Sequence, residues 1–186
     1  MNIVAGPPGS GKTEGFALVE FNVDLFNIDD VCASRNPTAY VGIPPDLRRQ
    51  VSAECRDFVL DHIAKRKSFS VETTLRTRVA VEQAILAKAA GFETVMYFVT
   101  CPNVEENIRR VKYRARAGGH SAPEVEIRQT YEASLLNLRE AVTVFEQVYI
   151  FESGPFTNEN VAVVLDGEAI LRRPKPAWLA RAFGDR

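Results

Sequence analysis

Apolar and polar positions along the chain change period repeatedly. Short apolar runs alternate with longer stretches whose apolar residues recur three and four apart, the signature of strands alternating with helices. Residues 2–5 predict a strand that feeds straight into a glycine-rich loop, and residues 12–21 predict the helix after it. Residues 24–29 (DLFNID) predict a second strand, followed by a proline-rich connection over 35–45. A helix is predicted over 46–65, with Leu47, Val51, Cys55, Phe58 and His62 along one stripe. A third strand is predicted over 68–72. The next helix, 79–90, stops at Gly91, which suits a C-terminal cap. Residues 94–100 (TVMYFVT) form the most apolar strand and are predicted to lie centrally.

The second half continues the alternation. A helix over 103–117 carries Arg109, Arg110, Lys112, Arg114 and Arg116 and is broken by Gly118-Gly119-His120. Pro123 opens a second long helix whose apolar face is Ile127, Tyr131, Leu135, Leu138, Val142 and Phe145. Residues 147–151 predict a fifth strand. Residues 160–165 and 168–171, joined by Asp166-Gly167, predict a β-hairpin. Residues 176–183 predict a small closing helix bearing the only tryptophan, Trp178.

One stretch names its chemistry. Gly6-Pro7-Pro8-Gly9-Ser10-Gly11-Lys12-Thr13 fits the phosphate-binding loop G-x-x-x-x-G-K-[ST] in full, between a strand and a helix. Backbone N–H groups of such a loop and the following helix N-terminus cradle phosphates. Lys12 is expected to reach the β- and γ-phosphates, and the Thr13 hydroxyl to ligate Mg²⁺. The expected fold is therefore α/β: a P-loop NTPase of three α/β/α layers, with a mostly parallel five-stranded sheet, an arginine-bearing lid helix and a small C-terminal hairpin. Residues 1–186 are read as a single domain, with the lid at about 108–123 and the hairpin and final helix at about 160–184.

Composition narrows the class. The 186 residues carry a formal net charge of −1, which speaks against a nucleic-acid surface. No apolar stretch approaches a membrane span, and the N-terminus runs into the loop with no room for a signal peptide, so a cytoplasmic protein is expected. Cys32, Cys55 and Cys101 have no metal spacing and are read as small buried thiols. There is no second nucleotide half, no LSGGQ-like segment and no NKxD-like base reader, which leaves a phosphotransferase as the leading class.

Ligands of open α/β sheets bind beyond the carboxyl ends of the strands. The second strand ends in Asn27-Ile28-Asp29-Asp30, the third in Glu72-Thr73-Thr74 and the fifth in Phe151-Glu152-Ser153. Asp29 is the first choice for a general base, with a helix N-cap as its structural alternative. Glu72 is read as a Mg²⁺ or substrate contact. Arg110 and Arg114, four apart on one helix face, would meet the charge that develops on a transferring phosphoryl group. The double glycine after them would let the segment close over a nucleotide. His120 is read as a phosphate or turn contact, and His62 as structural.

These residues together resemble the zeta-toxin-like kinases, including the short bacterial members. The resemblance rests on GPPGSGKT, Asn27-Ile28-Asp29, Glu72-Thr73-Thr74, Arg110-Val111-Lys112-Tyr113-Arg114, Gly118-Gly119-His120, Pro123, Tyr131 and Ser134-Leu135-Leu136-Asn137-Leu138, spanning about residues 3 to 153. It implies an ATP- or GTP-dependent, Mg²⁺-assisted kinase acting on a small-molecule acceptor such as a UDP-N-acetyl-amino sugar. Asp29 would be the base, Lys12 the phosphate ligand, Thr13 the metal ligand, and Arg110 and Arg114 the charge stabilisers. Glu72, Thr73 and His120 would face the acceptor. Thr130 stands where members often carry an arginine, and Phe151-Glu152-Ser153 replaces Asp-Asn-Ser. Other acceptors (a nucleotide, an antibiotic, a metabolite), and an ATP-binding regulatory protein without turnover, stay open. So does a toxin held by an antitoxin-like protein, although no antitoxin-binding element is recognisable.

Overall fold

The computed structural model describes residues 1–119, 121–172 and 174–183. Seven strands form one sheet in the order β2-β3-β1-β4-β5-β6-β7. They are β1 (Asn2–Ala5), β2 (Asp24–Asn27), β3 (Phe69–Thr73), β4 (Val95–Thr100), β5 (Gln147–Ser153), β6 (Asn158–Leu165) and β7 (Glu168–Leu171). The first five in that order are parallel, as the sequence predicts. The hairpin is not a separate appendage. β6 pairs antiparallel with β5, and β7 with β6, so the five-stranded sheet becomes seven. Asp166 and Gly167 both take positive φ (48° and 84°), the backbone that a two-residue hairpin turn requires.

Helices α3 (Pro45–Lys65), α4 (Val79–Ala89), α6 (Glu124–Val144) and α7 (Ala177–Phe183) share one core with a single sheet face. That face presents alternate residues, Ile3 and Ala5, Phe69 and Val71, Met96 and Phe98, Val148 and Ile150, because strand side chains alternate between faces. The chain's single tryptophan, Trp178, is buried in the same core. His62 packs there too, its ring nitrogens 2.7 Å from the Phe58 carbonyl and 3.0 Å from Asp24 Oδ2, which is the structural part expected of it. The three cysteines are buried and free, and burial pushes the Cys55 and Cys101 thiols up to about 11 and about 12.

The opposite face carries the segment after the phosphate loop, and here the prediction needs correction. Helix α1 is only Lys12–Gly15, and a 3-10 turn follows at Leu18–Phe21. The Asn158 side chain lies so close to Gly15 that a Cβ there would sit 1.9 Å from its amide nitrogen. The chain then lays Phe16 against Tyr97 and Phe151, and Phe21 against Tyr97, with ring centroids 4.6–5.3 Å apart. Burying those rings on the sheet outweighs extending the helix.

A second correction concerns Asp29. Strand β2 ends at Asn27, two residues short of the predicted 24–29, and α2 (Ile28–Arg35), a helix the sequence does not predict, begins at once. Asn27 is the cap: its side-chain oxygen accepts from the Asp29 and Asp30 N–H groups at 2.9 and 3.3 Å. Both aspartates therefore lie in the first turn of a helix, where acidic side chains suit the dipole.

A candidate site for phosphate binding and transfer

Parallel strands β1, β2, β3, β4 and β5 bring their carboxyl ends to one edge. Register sets the neighbours there: Ala5 lies opposite Thr73 and Phe98, Asn27 opposite Glu72, and Thr100 opposite Glu152. The phosphate loop leaves β1 at this edge and is fastened to β3 by Gly6 N–H donating to the Thr73 carbonyl at 3.2 Å. The Asn27–Glu72 pairing sets the first turn of α2 beside the end of β3.

Lys12 is buried inside the loop, where its ammonium donates to the Gly6 carbonyl at 2.9 Å and the Pro7 carbonyl at 3.3 Å. Glu72 Oε1 is 3.9 Å from Lys12 Nζ, and Glu72 Oε2 accepts from the Thr13 hydroxyl at 3.2 Å. Burial pulls the Lys12 ammonium below its usual range, and the negative charges of Glu72 and Asp29 resist that pull. The nearby Arg114 adds to it. Glu72 moves the other way: burial raises its carboxyl, with Lys12 and the Thr13 hydrogen bond opposing. Lys12, Glu72, Asp29 and Arg114 therefore share one electrostatic environment.

Asp29 Oδ1 accepts from Arg48 Nη1 at 2.8 Å, a pairing of α2 with α3 that periodicity does not announce. Asp30 points elsewhere, accepting from the Tyr40 hydroxyl at 2.8 Å, and that bond raises the Tyr40 phenol. Thr73 Oγ1 is turned towards its own chain and accepts from Leu75 N–H at 3.2 Å.

Helix α5 (Val104–Arg116), capped by Asn103, carries the arginines as predicted. They differ in surroundings. Arg110 uses Nε on Glu106 at 2.8 Å, Nη1 on the Ser153 hydroxyl at 2.8 Å, and Nη2 on the Ser153 and Gly154 carbonyls at 3.2 and 3.0 Å. It therefore straps α5 to the end of β5, beside the cradle, and the Ser153 hydroxyl packs against Gly11. Arg114 has a buried Nε with no hydrogen-bond partner among the described residues. His120 lies outside the described residues.

The residues that depart from the family pattern have structural employment. Glu152 accepts from the Trp178 indole N–H at 2.7 Å, which ties β5 to α7. Thr130 is buried in α6, where its carbonyl lies 2.6 Å from the Ser134 hydroxyl oxygen and shares that hydroxyl's single proton with the Thr74 carbonyl. Arg128 pairs with Glu105 and Glu124 at the surface. The Ser134–Leu138 stretch holds the segment after Glu72-Thr73. Ser134 Oγ donates to the Thr74 carbonyl at 2.5 Å, and Asn137 Nδ2 to the Leu75 carbonyl at 2.9 Å. Leu75 is fully buried at φ 55°, a backbone state that needs such support.

Two surface clefts lie away from this edge. One of about 580 Å³ is lined by Glu93, Glu146 and Tyr149 near the opposite ends of the strands, and one of about 180 Å³ lies between α6 and α7. Neither includes the loop. Among the described residues no helix is long and apolar enough to cross a membrane.

A phosphate loop on the central strand of five parallel strands, beside carboxylates and an arginine-bearing helix, defines a P-loop α/β fold, and solved structures share it. The structure is similar to that of AvrRxo1-ORF1:-ORF2 with ATP (16% identity, TM-score 0.67, covering 92% of this chain and 60% of that one). It is also similar to a structure of the PezAT chromosomal toxin-antitoxin system of Streptococcus pneumoniae (19% identity, TM-score 0.56, covering 100% and 79%). The chain thus spans less than two thirds of the AvrRxo1 chain it matches. In sequence it is 28% identical over 130 residues to an uncharacterized protein of Haemophilus influenzae, covering 68% of this chain and 88% of that one. No protein-family model matches it.

Proposed function

We propose that this protein is an ATP-dependent kinase that transfers the γ-phosphoryl group to a hydroxyl of a small acceptor. The observation that supports the reading is the meeting of Lys12, Thr13 and Glu72 on a complete phosphate loop, with the first turn of α2, which carries Asp29, beginning beside Glu72. Lys12 would exchange its loop carbonyls for phosphate oxygens. Asp29 would take the proton of the attacking hydroxyl. Arg114, whose Nε lacks a partner, would turn its guanidinium to the transferring group. Arg110 would act beside it while holding the end of β5.

The Thr13 hydroxyl and Glu72 carboxylate bring two hard oxygens together at 3.2 Å, a donor set that suits Mg²⁺. Among the described residues no cluster of three acidic, histidine or cysteine side chains could hold a metal alone. The ion would therefore enter with the nucleotide, keeping waters and phosphate oxygens as its other ligands. Bound there, it neutralises charge on the β- and γ-phosphates.

The resemblance points to a UDP-N-acetyl-amino sugar as acceptor and to ATP or GTP as donor. An antitoxin-like partner comes with the same reading, since the similar PezAT structure is of a toxin-antitoxin system. A second reading, nucleotide binding without transfer, is favoured by Arg110, whose nitrogens are all engaged by protein acceptors.

The deciding experiment is transfer of labelled phosphate from ATP with Mg²⁺ to a panel of UDP-sugars, nucleotides and metabolite extracts, comparing wild type with Asp29→Ala. Labelling of an acceptor that Asp29→Ala abolishes supports the kinase. Tight ATP binding with nothing labelled favours the second reading.

A further inference from the structure

The phosphate loop is held from outside by the arginine helix. Asn107, on the first turns of α5, is fully buried, and its Nδ2 donates to the Pro8 carbonyl at 2.8 Å. The next residue, Gly9, has φ 74°, and a Cβ there would sit 2.6 Å from the Asn107 carbonyl oxygen and 3.0 Å from Val111 Cγ2. The Gly9 carbonyl is held in turn by the Cys101 thiol, 3.5 Å away at the end of β4. Among the described residues no peptide is cis. In a trans peptide the carbonyl and the following N–H point in opposite directions. With the Pro8 carbonyl turned to α5, the Gly9 N–H is turned away from it.

We propose that Asn107 is a positioning residue for nucleotide binding: it fixes the Pro8–Gly9 peptide so that the Gly9 N–H faces the phosphate cradle. The inference rests on residues 6–13 being such a cradle. It assigns the first half of α5 a part distinct from that of its arginines. Asn107, Gly9 and Val111 key the helix onto the loop, so the arginines one and two turns further on are indexed to the phosphates through the same contact. A free Pro8–Gly9 peptide can rotate and present its carbonyl to the phosphate instead, which repels it. Loss of the hydrogen bond should therefore act on phosphate affinity rather than on base recognition.

The test uses pyrophosphate and ADP as probes of the full-length chain. In ¹⁵N-labelled wild type, the Gly9 amide should shift on saturation with either probe, together with Gly11, Lys12 and Thr13. Asn107→Ala should bind both probes about tenfold more weakly, the value of one hydrogen bond lost from a preorganised site, and should lose the Gly9 shift. The inference is overturned if the amides of Gly11 to Thr13 move and Gly9 does not, or if folded Asn107→Ala binds both probes within twofold of wild type. Should Asn107→Ala fail to fold, the wild-type amide shifts decide alone. If no loop amide responds to either probe, the nucleotide reading falls, and this inference with it.

Discussion

The Glu72 carboxylate accepts a hydrogen bond from the Thr13 hydroxyl at 3.2 Å across a sequence separation of 59 residues. Strand β3 thus delivers a second oxygen to the first turn after the phosphate loop. Glu72→Gln keeps the shape and removes the charge. It is expected to raise the Mg²⁺ concentration needed for half-maximal ATP binding by about 10- to 100-fold, the usual cost of losing a supporting carboxylate at a metal site. Affinity for ADP in the absence of metal should change far less. Titration of Mg²⁺ at fixed ATP by calorimetry checks this.

Asp29 pairs with Arg48 where both side chains are about two-fifths exposed (38% and 41%). An ion pair so open to water adds little to stability. Asp29→Asn should therefore shift the melting temperature by no more than ~4 °C while lowering phosphate transfer by about 10²- to 10⁴-fold. Equal losses in stability and activity would instead mark Asp29 as a structural residue.

Asn137 is predicted to matter for stability. Its amide satisfies the carbonyl of fully buried Leu75, which has no water to turn to. Asn137→Ala should cost about 1–3 kcal/mol, read as a lower urea midpoint with an unchanged slope. Because Leu75 follows the Glu72-Thr73 strand end, Glu72 should also lose some of its ordering.

Glu106 sets an acid limit. Hydrogen bonds from Arg109 and then Arg110 hold its carboxyl down at about 2, against an ordinary 4.5. Between those values the unfolded chain binds a proton that the folded chain does not, so stability falls as pH falls through the window. The Arg109 side chain is well exposed, so salt should weaken the effect. Thermal melts from pH 6 to pH 2 should show a flatter acid decline for Glu106→Gln than for wild type, most clearly at low salt.

Local physics made much of this legible. The strands, the long helices and the loop were readable because their periods and caps are short-range. The parts that escaped depend on distant partners. Position 15 has no room for a side chain because Asn158 occupies the space beside it, and nothing within residues 12–21 says so. Arg110 is a strap because Ser153 and Gly154, more than 40 residues on, offer their oxygens. Helix α2 could have been found: Asn27 followed by two aspartates is an N-cap signal, but the short apolar run before it read as strand continuing through Asp29. Ser134 and Asn137 stood out as a pattern, whereas their grip on the Thr74 and Leu75 carbonyls required the fold. Asn107 and Arg48 carried no signal beyond being polar on helices.

The bond between Trp178 and Glu152 has an optical consequence. The chain's only indole is 2% exposed, and its N–H is fixed on a carboxylate one residue from Ser153, which touches both Gly11 and Arg110. A dry, rigid indole emits at short wavelength and reports a single environment. Its emission should move to longer wavelength in one step on unfolding. Occupancy of the loop, transmitted through Ser153, should alter its intensity without that shift. The native chain thus carries a built-in fluorescent probe that separates ligand binding from loss of the fold, with no label attached.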